Sequence, residues 1–273
     1  MNPLLNHYRR SSSISLQLPS GGFYGGDIDF NMNKEVEIFP LSAKNEIYIN
    51  NPEHLLSGEA CSYSISECCP NVKDIANLPY MDMEVICLGI KKASYGGELK
   101  MPYRCPHCKH EGDGFYSIDH IFSMMKEMPE HYICEVDNLK IYMKPFTLEN
   151  LDQFKLIYTN EKIAENTLKK EDMSNEDKAK VIYDSLETIS TISTESIGEC
   201  IIRIIMEDGT EVTDKNYIME YYNNAPVSVV KKIVKFHNEL SEYGLPKKLQ
   251  IACESCNKEF DYPMVYDPSS FFD

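Results

Sequence analysis

The sequence predicts an α+β fold, mainly helical lobes around a split four-cysteine ribbon with a long insertion, plus a β-hairpin. Three observations predict it. Two Cys-x-x-Cys segments, Cys105 to Cys108 and Cys253 to Cys256, stand in matching strand–knuckle–strand frames far apart in the chain. Before and between them, apolar residues recur at helical spacing. Asp208-Gly209, between β-rich runs, is the strongest short hairpin signal present.

Taken in order, residues 1–50 read as an N-terminal arm and first strands. Pro19-Ser20-Gly21-Gly22 and Gly25-Gly26 punctuate an irregular start, and Phe23, Tyr24 and Phe30 are aromatic anchors for a neighbouring surface. Glu35 to Phe39 alternates as a short strand ending at Pro40. Residues 51–97 read as a helical segment. Leu55, Leu56, Ala60, Tyr63, Ile65 and Cys68 form one buried stripe, and Pro70 stops that helix. A second helix follows Asp82, carries Val85, Ile86, Leu88, Gly89 and Ile90, and ends near Gly96-Gly97. Both helices read as core packing.

Residues 98–130 hold the first half of the ribbon. Glu98 to Arg104 is a strand, Cys105-Pro106-His107-Cys108 a knuckle, and Phe115 to Ile118 a returning strand, with a short helix from Asp119 to Met128. Residues 131–245 read as an inserted helical and hairpin domain. It opens on a strand, Leu139 to Met143, and Thr147 N-caps a helix carrying Leu151, Phe154, Leu156, Ile157 and Ile163. After the solvated link Lys169-Lys170-Glu171-Asp172, Ser174 caps a helix with Ala179, Val181, Ile182, Leu186 and Ile189. Cys200 to Ile205 is β-rich, and Met219 to Tyr222 belong to a short helix. Pro226 opens a last helix, running to Tyr243 with Gly244 as its left-handed stop, whose buried face is Val229, Val230, Ile233, Phe236 and Leu240. Residues 246–273 are the second half of the ribbon and a tail: Leu249 to Ala252, the second knuckle, Phe260-Asp261-Tyr262, and Asp267 to Phe272.

Ten cysteines and a net charge of −16 set the chemistry. The stretch Met1 to Leu18 has no apolar core of the length a signal peptide needs, and no apolar run is long enough to span a membrane. A reducing compartment follows, where paired cysteines more often bind metal than form disulfides. So acidic a chain lacks the clustered Lys and Arg that a general grip on phosphate backbones requires.

Two thiolates at the Cys-x-x-Cys spacing supply half of a tetrahedral zinc site, because a tight turn brings both sulfurs to one point. Cys105, Cys108, Cys253 and Cys256 together make a four-cysteine zinc ribbon. Four sulfur ligands leave no open position, so the metal is structural. Other readings compete: two unrelated buried cysteine pairs, a redox dithiol, or a mixed site using His107 or His110 in place of one knuckle. Neither Cys-x-x-Cys opens a helix after a strand in a βαβ unit, which counts against the redox dithiol. The other six cysteines read as small buried apolar residues.

No catalytic set emerges. No GxGxxG follows a strand, and no Walker loop or HExxH occurs. Gly21-Gly22 and Gly25-Gly26 are followed by neither a helix start nor a Lys-Ser/Thr pair. His54, His120, His131 and His237 are lone residues on or beside helices, and no carboxylate spacing singles out an acid–base pair. The expectation is therefore a non-enzyme with no small-molecule substrate.

Leu18-Pro19-Ser20-Gly21-Gly22, Pro40-Leu41-Ser42-Ala43-Lys44-Asn45-Glu46 and Leu55-Leu56-Ser57-Gly58-Glu59-Ala60 together carry a family likeness. Ala93-Ser94-Tyr95-Gly96 and Asp267-Pro268-Ser269-Ser270-Phe271-Phe272 extend it. In their order and spacing they resemble baseplate hub assembly proteins of T-even-like contractile-tailed bacteriophages. The resemblance implies a structural or chaperone role in building the hub, with other tail and baseplate hub proteins as partners. It places the chain in the virion, or in the host cytoplasm during assembly. Only Cys105, Cys108, Cys253 and Cys256 qualify as site residues by that likeness. The aromatic N-terminal segment and the Phe271-Phe272 tail are the expected docking elements. A transient chaperone absent from the mature virion, a nucleic-acid-binding zinc-ribbon accessory, and a metalloenzyme with an open metal position are the alternatives.

Overall fold

The computed structural model describes residues 13–57, 59–169, 173–264 and 266. The chain divides into two compact units, one of residues 1–130 with 241–273 and the other of residues 131–240. The tail Asp267 to Phe272 and the link residues Lys170, Glu171 and Asp172 lie outside the described residues.

The first unit is organised on one buried helix. The first element of the described residues is strand β1 (Ile14–Leu16), antiparallel to β2 (Val36–Ile38) with Ile14 opposite Ile38. Three short helices follow: α1 (Ala43–Ile49), α2 (Pro52–Ser57) and α3 (Glu59–Cys68). Then α4 (Tyr80–Tyr95) runs with every residue from Met81 to Ile90 buried. A helix buried on all sides belongs inside a core, and β1, β2 and α3 pack on it. Gly89 lets β1 lie close to the helix: an added Cβ would stand 2.6 Å from Leu16 Cδ1, and that side chain would have to shift. The unit continues through strands β3 (Glu98–Arg104) and β4 (Glu111–Ser117) to the short helix α5 (Ile118–Ser123). It is completed by β9 (Lys248–Ala252) and β10 (Glu259–Pro263).

Several expectations need correction in this unit. The start of the chain is not irregular throughout, since Ile14 to Leu16 pairs as a strand. Of its anchors, Tyr24 is buried in its own unit and its hydroxyl donates to the Pro129 carbonyl, while Phe23 is 52 % exposed. Met128 N–H donates to Pro19 O at 2.8 Å, so the segment packs inward. The main helix starts at Tyr80, not after Asp82. Asp82 is wholly buried, and both the N–H and the hydroxyl of Ser20 donate to its carboxyl group. Helix α5 ends at Ser123 rather than Met128. Helix α1 was not expected. Its signal is a capping box in which Ser42 accepts from Asn45 N–H while the Asn45 side chain accepts from Ser42 N–H.

The second unit joins a four-stranded antiparallel sheet to four helices. Strands β5 (Tyr132–Val136), β6 (Leu139–Met143), β7 (Ile201–Ile205) and β8 (Glu211–Val212) lie in that order. Strand β5 was not expected. Asp208-Gly209 makes the predicted turn between β7 and β8, with Gly209 at φ +85°. After a short 3-10 turn at Leu148–Asn150 come α6 (Leu151–Lys169) and α7 (Asn175–Glu199), the latter N-capped by Ser174 as expected. That turn displaces Thr147 from the N-cap position. Helix α8 (Lys215–Asn224) is longer than Met219 to Tyr222.

Helix α9 (Val227–Asn238) stops short of Tyr243 and passes into a 3-10 turn, Glu239–Glu242; Gly244 adopts φ +82°. Val229, Ile233 and Leu240 are buried, whereas Val230 and Phe236 are only half-buried. Tyr132 stacks on Phe236 at 4.3 Å and donates to its carbonyl at 2.9 Å, docking α9 on β5. Among the described residues no helix is long and apolar enough to cross a membrane.

Candidate metal centre

Two hairpins of the first unit bring the cysteines together. Strands β3 and β4 pair from Glu98 opposite Ser117 to Arg104 opposite Glu111. Strands β9 and β10 pair from Lys248 opposite Pro263 to Ala252 opposite Glu259. Each knuckle therefore closes the end of one hairpin. The two turns are built alike. Cys105 N–H donates to His110 O at 2.8 Å, and Lys109 N–H donates to Cys105 O at 3.0 Å. In the second, Cys253 N–H donates to Lys258 O at 3.0 Å, and Asn257 N–H to Cys253 O at 2.8 Å. The residue after each second cysteine takes a left-handed conformation, Lys109 at φ +63° and Asn257 at φ +54°.

The sulfurs of the two turns converge. Cys105 Sγ lies 3.8 Å from Cys256 Sγ, and Cys108 Sγ lies 3.6 Å from Cys253 Sγ. All four lie within 4.8 Å of one another. Four sulfurs at roughly 2.3 Å from a tetrahedral zinc are separated by about 3.8 Å, the spacing of the Cys105–Cys256 and Cys108–Cys253 pairs. Neither His107 nor His110 belongs to the group. Cys105 and Cys253 are buried, Cys256 is half-buried and Cys108 is exposed.

The thiols share a strained electrostatic environment. Burial raises the Cys105 thiol, but the backbone N–H groups of Cys108 and His107 outweigh it, and Cys105 falls to about 6. Cys253 is also lowered: burial opposes, and the N–H groups of Cys256 and Ser255 prevail. Lys258 N–H favours the Cys256 thiolate, yet desolvation and the three neighbouring sulfurs push it up to about 11. Thiolates this close repel, and a divalent cation converts that repulsion into attraction.

What holds the hairpins to each other is not a strand ladder, since each forms its own two-stranded sheet. Tyrosines do part of it. Tyr103 accepts from Glu254 N–H at 3.1 Å, inside the second knuckle, and its ring lies 5.6 Å from Phe260. Tyr116 donates to Gln250 O and Tyr262 to Pro102 O, at 3.0 and 3.2 Å. These roles were not legible in the sequence beyond the aromatic character of the strands. The remaining cysteines, 61, 68, 69, 87, 134 and 200, are all buried. Burial pushes Cys69 and Cys200 up to about 12, which keeps them protonated and unreactive.

Ribbon cations face carboxylates. Lys100 meets Asp113 at 2.9 Å, Arg104 meets Glu111 at 3.8 Å and Lys248 meets Asp261 at 2.7 Å.

No curated protein and no solved structure matches the chain. The family model described as T4 bacteriophage base plate protein matches residues 31–273, a span that contains both knuckles and the whole second unit. With that span matched, the chain belongs to the T4 bacteriophage base plate protein family.

Proposed function

We propose that this baseplate protein is a non-enzymatic component or assembly factor of the baseplate hub, stapled by one structural zinc held by Cys105, Cys108, Cys253 and Cys256. The observation that carries the metal is the convergence of four sulfurs, all within 4.8 Å of one another, from two turns of the same construction. Four protein ligands leave no position for water or substrate, so the metal supplies rigidity rather than Lewis-acid chemistry. Its two halves come from both sides of residues 131–240, and metal binding becomes part of the free energy that closes the first unit. The partners are other tail and hub proteins, met in the host cytoplasm during assembly or in the finished tail.

Two measurements test this reading. Metal analysis of the purified chain should find one zinc, and retention of full zinc by a Cys253→Ser, Cys256→Ser double variant would sink the shared site. Copurification with other tail proteins should succeed. Presence in finished particles would mark a component, and presence only in assembly intermediates a chaperone. The nucleic-acid reading requires binding to DNA or RNA with a steep salt dependence, and the net charge of −16 argues against it.

A further inference from the structure

Outside the metal centre, the core of the first unit holds two thiols in contact. Cys61 of α3 and Cys87 of α4 place their sulfurs 3.2 Å apart, closer than the 3.6 and 3.8 Å of the pairs that bridge the two knuckles. Both residues are fully buried, and both are free thiols in this structure. On α3, Cys61 and Cys68 stand seven residues apart on the buried face, and α3 packs on α4. Cys87 feels both of those sulfurs, but its contact is with Cys61. Burial and the Cys61 sulfur raise the Cys87 thiol well above its usual range, which keeps it protonated in the closed core. A disulfide bond is about 2.05 Å long, so the two sulfurs need to approach by only on the order of 1 Å. Thiols held this close combine as an intramolecular pair. The disulfide they form has no ionisable proton, so burial does not oppose it.

We propose that Cys61 and Cys87 are a latent cross-link, a dithiol in reducing surroundings and a disulfide tying α3 to α4 where a small-molecule disulfide is the oxidant. Glutathione disulfide is an oxidant of that class. Reaction starts when α3 opens locally from α4. The Cys61 thiol loses its proton to water, and its sulfur attacks one sulfur of the oxidant. The oxidant S–S bond breaks, and one glutathione thiolate leaves. Cys87, deprotonated in the same opening, attacks the Cys61 sulfur, forms the Cys61–Cys87 bond and expels the second glutathione thiolate. The two released thiolates take up the two protons that the cysteines lost. In all, two cysteine thiols are oxidised by two electrons, and one disulfide is reduced to two thiols. The bond joins positions 26 apart, which restricts the unfolded chain and stabilises the folded one. It uses none of the four ribbon sulfurs.

For the test, the zinc-loaded full chain is equilibrated with glutathione disulfide, quenched by alkylation and digested at Lys and Glu. Cleavage after Glu59, Glu67, Glu84 and Lys91 puts Cys61, Cys87 and the Cys68-Cys69 pair on three different peptides. Mass spectrometry should find the Cys61 and Cys87 peptides linked, and dithiothreitol should part them. The linked chain should melt higher than the reduced chain by roughly 5 °C or more. Cys61→Ala and Cys87→Ala should each lose both the linked peptide and the oxidant-dependent shift. In a second arm the chain refolds from urea with zinc and a glutathione redox buffer present, so access to the core is no barrier. Linkage in either arm supports the cross-link. Its absence from both arms, linkage of Cys87 to Cys68 or Cys69 instead, or a linked chain that melts no higher than the reduced one would overturn the proposal.

Discussion

Asp82 offers the sharpest quantitative test of the first unit. Its carboxyl group is wholly buried at the start of α4, with Ser20 N–H at 3.0 Å and the Ser20 hydroxyl as its donors. Burial raises its pKa from 3.8 to about 7, a cost that the two hydrogen bonds from Ser20 only partly offset. Because the folded value lies above the unfolded one, the native state holds the proton more tightly. The resulting stability is fully present below about 3.8 and is lost as pH rises through about 7. At about 1.4 kcal/mol per unit, the whole effect is roughly 4 kcal/mol. Between about pH 5.5 and about pH 8.5, roughly 2 kcal/mol of it develops. Asp82→Asn keeps an oxygen to accept from Ser20 and cannot ionise. Urea unfolding of variant and parent at both pH values, with zinc saturating throughout, isolates the titration, because other groups cancel in the difference. The variant should gain roughly 2 kcal/mol on the parent as pH rises, on top of any constant offset from its amide N–H group. A difference that stays flat, or shrinks, with rising pH would refute the assignment of a buried, high-pKa carboxyl at this position.

Four further outcomes are expected. Cys253→Ser, Cys256→Ser should lose the metal and release the β9–β10 hairpin, seen as loss of zinc by elemental analysis and as faster amide exchange in Lys248 to Pro263. Cys61→Ser, Cys87→Ser and Cys134→Ser should retain zinc. Gly25→Ala should cost more than about 2 kcal/mol in thermal or chemical unfolding, since Gly25 sits at φ +140° and a Cβ would meet Asn77 O at 2.2 Å. Ser42→Ala should cost about 1 kcal/mol and speed amide exchange at the start of α1, where the capping box is lost.

Much of the two cysteine hairpins was legible because their determinants are local. A Cys-x-x-Cys turn is built within six residues, and the repeated frame of strand, knuckle and aromatic strand predicted both hairpins. Helix α7 began at its Ser174 cap and β7 turned at Asp208-Gly209, again on signals only a few residues long. The failures were of another kind. Asp82 looked like a helix-start residue, since Asp is common there, and only its distant neighbours make it a buried carboxyl. Leu156, Ile163 and Leu186 satisfied helical spacing, yet all are exposed, because the α6–α7 seam passes through the positions beside them.

The sequence by itself therefore determined the α+β class, the two knuckles and their hairpins, and the cysteines able to act as a set. Tertiary structure alone decided that the sulfurs of Cys105 and Cys256, 151 residues apart, lie within 3.8 Å. It also decided that tyrosines rather than a shared sheet join the two hairpins, and that the Ser20 segment packs inward on α4. The physical reason is range. Turn chemistry, capping and hydrophobic period act over a few residues and are written in adjacent letters. Burial, like-charge crowding and metal-site closure depend on what arrives from the far end of the chain.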